Sequence, residues 1–195
     1  MKVKISIGNT KMGKIPSVSL PPIKSCGNCK DCASKCYANQ AYRQYKQTKA
    51  AYDNNYIMVT TNHYKYFKEI KEYVSKKSPN YFRWHVSGDI LNQEYFNDMV
   101  QIAEEYPNTK FLCFTKMYGI VNFYLKEQTL PPNLNIFFSI WLDNRIPNIH
   151  RLSTARTVNK GDTDKYEGFK CEGNCSTCGF CFEALNGSSV IFEMH

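Results

Sequence analysis

Two rhythms of hydrophobic and polar residues alternate along this chain. Val3–Ile7 reads as a short strand, ended by Gly8-Asn9. Gly13 to Pro22, with Pro16, Pro21 and Pro22, reads as a loop. From Tyr37 to about Tyr52, Ala38, Ala41, Tyr42 and Tyr45 fall on one helical face, and a second helix is predicted from about Tyr56 to Lys76 through Ile57, Tyr64, Phe67, Ile70 and Val74. Ser78-Pro79-Asn80 breaks it. The period then shortens. Tyr81–Val86 is rich in β-formers and stops at Ser87-Gly88-Asp89; Asn92 can cap a helix running to Tyr106; Lys110–Phe114 is a strand closing on Thr115-Lys116. A short helix is expected near Gly119–Lys126, then a strand over Asn135–Leu142, a polar loop over Ile149–Gly168 and a last strand over Ser188–Phe192.

Alternating strand and helix implies parallel pairing with helices covering the sheet, an α/β class in a single domain. In such folds, ligands gather where strand C-termini meet the following loops. Ser87-Gly88-Asp89, Thr115-Lys116 and Asp143-Asn144 all fall at such ends, which makes Ser87, Gly88, Asp89, Thr115, Lys116 and Asp143 candidate cofactor- or substrate-contacting residues. Each signature is also ordinary turn chemistry; the repetition of placement is the signal. His85, in mid-strand, reads as a core residue.

Cysteine spacing changes the picture most. Eight of nine cysteines form two runs, Cys26, Cys29, Cys32 and Cys36, and Cys171, Cys175, Cys178 and Cys181. Thiolates packed so closely repel one another unless a soft cation joins them, so both runs are candidate metal ligands. The first has the spacing of a bacterial ferredoxin run, Cys-x2-Cys-x2-Cys-x3-Cys, with Tyr37 where proline usually follows. A [4Fe–4S] cluster in one or both runs is the leading assignment. Zinc shared between the runs would also satisfy eight thiols, and disulfides are the third reading, opposed by the short separations. Cys113, inside an apolar stretch, reads as a buried thiol.

The formal net charge is +8, with much of the excess between Lys30 and Lys77. That favours an anionic partner such as nucleic acid, with Tyr42, Tyr45, Tyr64 and Tyr66 as stacking candidates, or else marks a solvated helix face. No apolar run is long enough to span a membrane and the N-terminus is too polar for a secretory signal, so a cytoplasmic protein is expected.

Cys32-x3-Cys36-Tyr37-Ala38, Ser87-Gly88-Asp89, Phe114-Thr115-Lys116 and the strand Ile136–Trp141 together resemble phage and bacterial families with a radical-SAM-like partial barrel. Ser6-Ile7-Gly8-Asn9-Thr10-Lys11, Ser19-Leu20-Pro21 and the closing Cys-rich run are similar to the gene product 88 family of phages. The resemblance implies a partial (β/α) barrel with N- and C-terminal cluster-binding loops, a [4Fe–4S] cluster at its open end, and S-adenosylmethionine as the ligand of an open iron, with host cytosol as the location. The three-cysteine spacing of true radical-SAM enzymes, Cys-x3-Cys-x2-Cys, occurs here at Cys171, Cys175 and Cys178, near the C-terminus rather than at the usual place, with Thr177 in place of the usual aromatic residue. A run supplying four thiolates closes its cluster. The alternative function is therefore a non-enzymatic iron–sulfur- or zinc-stapled basic protein that binds nucleic acid or a host protein. Both runs are expected on the same rim.

Overall fold

The computed structural model describes residues 1–29 and 32–194; Lys30, where the basic segment begins, lies outside them. In chain order the elements are β1 (Ile5–Ser6), β2 (Ser17–Val18), α1 (Tyr37–Gln44), α2 (Lys46–Thr61), α3 (His63–Lys77), β3 (Tyr81–Trp84), α4 (Gln93–Glu105), β4 (Lys110–Thr115), α5 (Tyr118–Tyr124), β5 (Leu134–Trp141), β6 (Ser153–Val158), β7 (Phe169–Lys170), α6 (Cys175–Cys178), α7 (Phe180–Glu183) and β8 (Ser189–Glu193). The strands form one open sheet in the order β1-β2-β3-β4-β5-β6-β8-β7. Every pairing is parallel except β1 with β2. The α/β expectation therefore holds as a mixed α/β protein.

Alternation along the strands sends side chains to two different environments. Phe82 and Trp84 of β3, Phe111 and Cys113 of β4, and Ile136 and Phe138 of β5 pack against Met58, Phe67, Ile70, Phe96 and Met99 from the helices. The opposite face carries Tyr81, Leu112, Phe114, Phe137, Ala155 and Val190. It is covered by Met12 and Ile15 of the N-terminal loop and by Phe180, Phe182, Cys171, Cys175 and Cys181 of the C-terminal segment. One face is thus a helix-covered core, and the other is closed by the two ends of the chain.

The Asn92 cap is as predicted, its side chain accepting from the Tyr95 amide at 2.8 Å. Four features differ from the sequence expectation. The predicted helices meet at Asn62, not near Tyr52–Tyr56, because Asn62 caps α3 by accepting from the Lys65 amide at 2.9 Å. The first helix also breaks at Tyr45, which is extended. The Gly13–Pro22 loop contains β2, and the Ile149–Gly168 loop contains β6; both are strands completed by neighbours already in the sheet. β6, Ser-Thr-Ala-Arg-Thr-Val, is too polar for its own pattern to reveal it.

No helix among the described residues is long and apolar enough to cross a membrane. On α3, Lys65, Lys68, Lys76 and Lys77 are exposed. Tyr64 and Tyr45 are exposed too, whereas Tyr66 is fully buried and unavailable for stacking on a base.

Candidate metal and cofactor sites at opposite ends of the sheet

The first Cys run lies between β2 and α1, at the C-terminal ends of the parallel strands. Gly88 sets its position. It has a left-handed φ of 82°, and a Cβ there would stand 2.5 Å from Ser25 Oγ and 2.7 Å from Leu20 Cβ. The Leu20 amide donates to the Ser87 carbonyl at 3.0 Å, and Ser25 Oγ donates to the Pro21 carbonyl. The strand-end turn of β3 therefore packs directly on the segment that leads into Cys26. Cys36 closes the run as the N-cap of α1.

Asp89 ties this end of the sheet together. Its carboxylate is buried and accepts from Thr115 Oγ1 at 2.6 Å, the Lys116 amide at 2.9 Å and the Ile90 amide at 2.8 Å. Burial still raises its pKa, the hydrogen bonds opposing this. With three donors satisfied, Asp89 holds the ends of β3 and β4 in register. Ser87 Oγ is buried without a partner. The Asn28 side chain reaches the Lys116 carbonyl at 3.5 Å, and Gly27 lies against Met117, whose thioether stands 2.8 Å from where a Cβ would sit.

A recess of about 370 Å³, open to solvent, is lined here by Asn28, Cys32, Lys116, Tyr118, Trp141 and Asn144, among others. Three strand-end features predicted from sequence thus meet the first Cys run. Asp143 does not line the recess; it is exposed and accepts from the Tyr166 hydroxyl at 2.5 Å. Backbone strain concentrates nearby. Of five non-glycine residues with left-handed φ among those described, Ile23 (65°) precedes the run, and His85 (56°) and Leu142 (50°) follow β3 and β5. Strain of this kind, especially at β-branched Ile23, gathers at functional sites.

The second run does not share this rim, contrary to the sequence expectation. Its α7 lies at the opposite end. The Asn135 side chain, near the start of β5, is within hydrogen-bond distance of the carbonyls of Cys181, Phe182 and Ala184. Glu183 takes a hydrogen bond from Tyr81 and an ion pair from Lys110, the first residues of β3 and β4. Tyr81 stacks on Phe182 and Phe169 on Phe180, with ring centroids 4.5 and 4.2 Å apart. Aromatic packing by Phe180 and Phe182 draws the run under the sheet, a preference that cysteine spacing does not encode. All four cysteines line one shallow recess, open to solvent, with Phe169, Phe180, Phe182 and Val190.

All nine cysteines are free. Burial is the main cause that pushes Cys26 and Cys181 up to about 12, with neighbouring thiols adding to it. Cys175 is raised for the same reason. Among the described residues, no three Cys, His, Asp or Glu side chains stand close enough together to hold a metal ion as they are. The donor chemistry nonetheless fits a thiophilic centre, since four cysteines line one recess in the second run and four stand within one short loop in the first. Cys113 is buried, as predicted, with its sulfur 3.8 Å from His85 Nδ1. His85 is buried beside it, and its Nε2 is 2.9 Å from the Tyr95 hydroxyl, a contact that sequence reasoning missed.

These observations define a mixed α/β protein with one cysteine-rich loop at its strand C-termini and another against the sheet's second face. The chain belongs to the gene product 88 family, whose model matches residues 2–168. The matched span includes the first run and the strand-end signatures and ends before Cys171. No curated protein and no solved structure matches the chain.

Proposed function

We propose that this chain is an iron–sulfur protein built on a partial (β/α) barrel of radical-SAM-like kind, with a [4Fe–4S] cluster in the first Cys run at the strand C-termini. The observation that carries the reading is the shared recess in which Cys32 meets Lys116, Trp141 and Asn144. The nearly sequential order of parallel strands with helices on one face supports the barrel assignment. Held there by the first-run cysteines, a reduced cluster with an open iron would supply the electron for reductive cleavage of S-adenosylmethionine.

The chain's own residues have separable tasks in this reading. Cys26, Cys29, Cys32 and Cys36 offer the sulfur donors, of which three suffice to leave an iron open. Gly88 and Ser25 set where the run lies. Asp89 is a positioning residue acting through Thr115 and the Lys116 amide, and the Lys116 side chain is the candidate for contacting an anionic group in the recess. Cys171, Cys175, Cys178 and Cys181 would hold a second centre with four thiolates, closed and structural or electron-transferring in role.

The test is anaerobic purification with iron, sulfide and zinc measured per chain, followed by EPR of the dithionite-reduced protein with and without S-adenosylmethionine. About four or eight irons per chain, with a spectrum that changes on adding the cofactor, is the expected result. Iron with an unresponsive spectrum would remove the cofactor from the proposal. Stoichiometric zinc in a colourless protein would overturn it in favour of a zinc-stapled basic protein.

A further inference from the structure

Arg83 lies on the second sheet face with a polar atom that the fold leaves without a partner. It is the third residue of β3, two positions after Tyr81 on the same face. Its Nε is buried without a hydrogen-bond partner. No carboxylate among the described residues lies within ion-pair distance of it. Its guanidinium instead lies 4.8 Å from the Phe114 ring centroid, and Nη1 is 3.9 Å from the Met12 thioether. Sulfur and an aromatic face are weak partners for a cation withdrawn from water. Arg83 is half-buried, and its guanidinium gains from any anion placed on this face.

The second Cys run packs in the same cluster as both partners of Arg83, Met12 and Phe114. Met12, which Arg83 touches, shares one apolar cluster with Cys175, Cys181 and Phe182. The residue before Met12, Lys11, accepts the Cys175 amide through its carbonyl at 2.8 Å. Tyr81 stacks on Phe182 and would lie 3.2 Å from a Cβ at Gly179, so the same strand face already supports the run. Gly13, next to Met12, packs on Ser176 beside Cys175, so that a Cβ there would stand 2.5 Å from Ser176 Cβ.

We infer that Arg83 is the countercation of an anionic thiolate-bound centre held by Cys171, Cys175, Cys178 and Cys181, and that it tunes that centre alone. This rests on the iron–sulfur reading above. A [4Fe–4S] centre with four thiolates is an anion that gains a further negative charge on reduction. A fixed positive charge on this face favours both the loaded state and the reduced one. Arg83 is therefore a positioning and tuning residue that need not touch the metal.

The experiment is an EPR-monitored redox titration of the reconstituted full chain, comparing wild type with Arg83→Gln and Arg83→Lys. Arg83→Gln is expected to lower the midpoint of the second-run centre by about tenfold in its reduction equilibrium (59 mV for one electron). It should also speed that centre's loss of iron to a chelator, leaving the first-run centre unmoved. Arg83→Lys, which keeps the charge, should recover most of the shift. The centre affected is identified by its persistence in Cys29→Ser. Should Arg83→Gln fail to fold, the apolar Arg83→Met replaces it in the same comparison. Two centres whose midpoints and chelator lifetimes ignore the charge at position 83 would overturn this inference and leave the iron–sulfur reading standing. A wild-type chain that takes up no iron would overturn both.

Discussion

The two ends of the sheet hold their cysteine runs by different physics. At the strand C-termini the first run is set by polar and steric fit: Gly88 against Ser25 and Leu20, Asp89 bridging to Thr115 and Lys116, and Asn28 reaching the Lys116 carbonyl. At the opposite end the second run is held by burial of Phe180 and Phe182 against Phe169 and Tyr81, and by Asn135 gathering three carbonyls. Hydrogen-bonded strand ends leave side chains facing an open recess, which suits contact with a ligand. Aromatic packing half-buries Cys171, Cys175 and Cys181 and leaves Cys178 exposed. Eight cysteines of the same type are thus held by polar fit at one end of the sheet and by apolar packing at the other.

The widest gap between the two ends should appear on removing a ligand from each. Cys178→Ser is expected to cost metal content and much of the fold, because the second run closes the apolar second face and metal binding is coupled to folding. Cys29→Ser should lose a comparable share of metal with a smaller loss of thermal stability. Metal analysis and thermal unfolding of both variants check this. Equal unfolding in the two would erase the distinction.

Glycine substitutions sharpen it next. Gly88→Ala forces a left-handed φ on a Cβ that collides with Ser25 Oγ and Leu20 Cβ. A loss of about 2–4 kcal/mol is expected by urea titration, with the first-run metal lost and the second kept. Gly179→Ala carries a similar φ of 63° but meets only the Tyr81 hydroxyl at 3.2 Å, the far end of a side chain that can shift. About 1 kcal/mol is expected there.

Acid should act on the rim through His85. Burial, with the Arg83 charge adding to it, lowers its pKa from 6.5 to about 3. The unfolded chain then binds a proton that the folded chain refuses. Stability from this residue is full above pH 6.5 and is lost as pH falls toward 3, by on the order of 4 kcal/mol. His85→Asn tolerates the positive φ and should remove that slope. Asp89 works in the opposite sense. Its raised pKa gives stability that is full below 3.8 and is lost as pH rises through the folded value. The difference between wild-type and His85→Asn stability curves, measured in urea from pH 4 to 8, isolates the histidine. A flat difference would mean that His85 is solvated.

The smallest effect belongs to the exposed polar edge of the second end. Glu183 pairs with Lys110 and accepts from Tyr81, both of which hold its pKa below the usual range, but it is largely solvated. Glu183→Gln should cost less than about 1 kcal/mol and less still in high salt. A larger loss would show that this end relies on charge as much as on aromatic packing.

Much of this was readable in advance where a residue's neighbours are close in sequence. The Asn92 cap, the buried Cys113 and His85, and the strands at Tyr81, Lys110 and Leu134 follow from short-range pattern and turn chemistry. The convergence of Cys32 with Lys116 also followed, because parallel strands deliver their C-termini to one edge. β2 and β6 were hidden because each is defined by hydrogen bonds to strands far away in sequence. Tyr66 shows the limit of composition: its position on α3 suited a stacking surface, yet it is buried with its hydroxyl 3.1 Å from that of Tyr95.

By itself the sequence determined the class of the fold, the two dense thiol runs and the polar strand ends, since periodicity and cysteine spacing are local properties of the chain. Only the tertiary structure decided that the runs lie at opposite ends of the sheet, that the Asp89 oxygens accept from the Thr115 hydroxyl and the Ile90 and Lys116 amides, and that Arg83 Nε is buried without a partner on the second sheet face. Those outcomes depend on which apolar side chains pack together across long sequence separations and on which buried polar atoms find partners, and no local pattern carries that information.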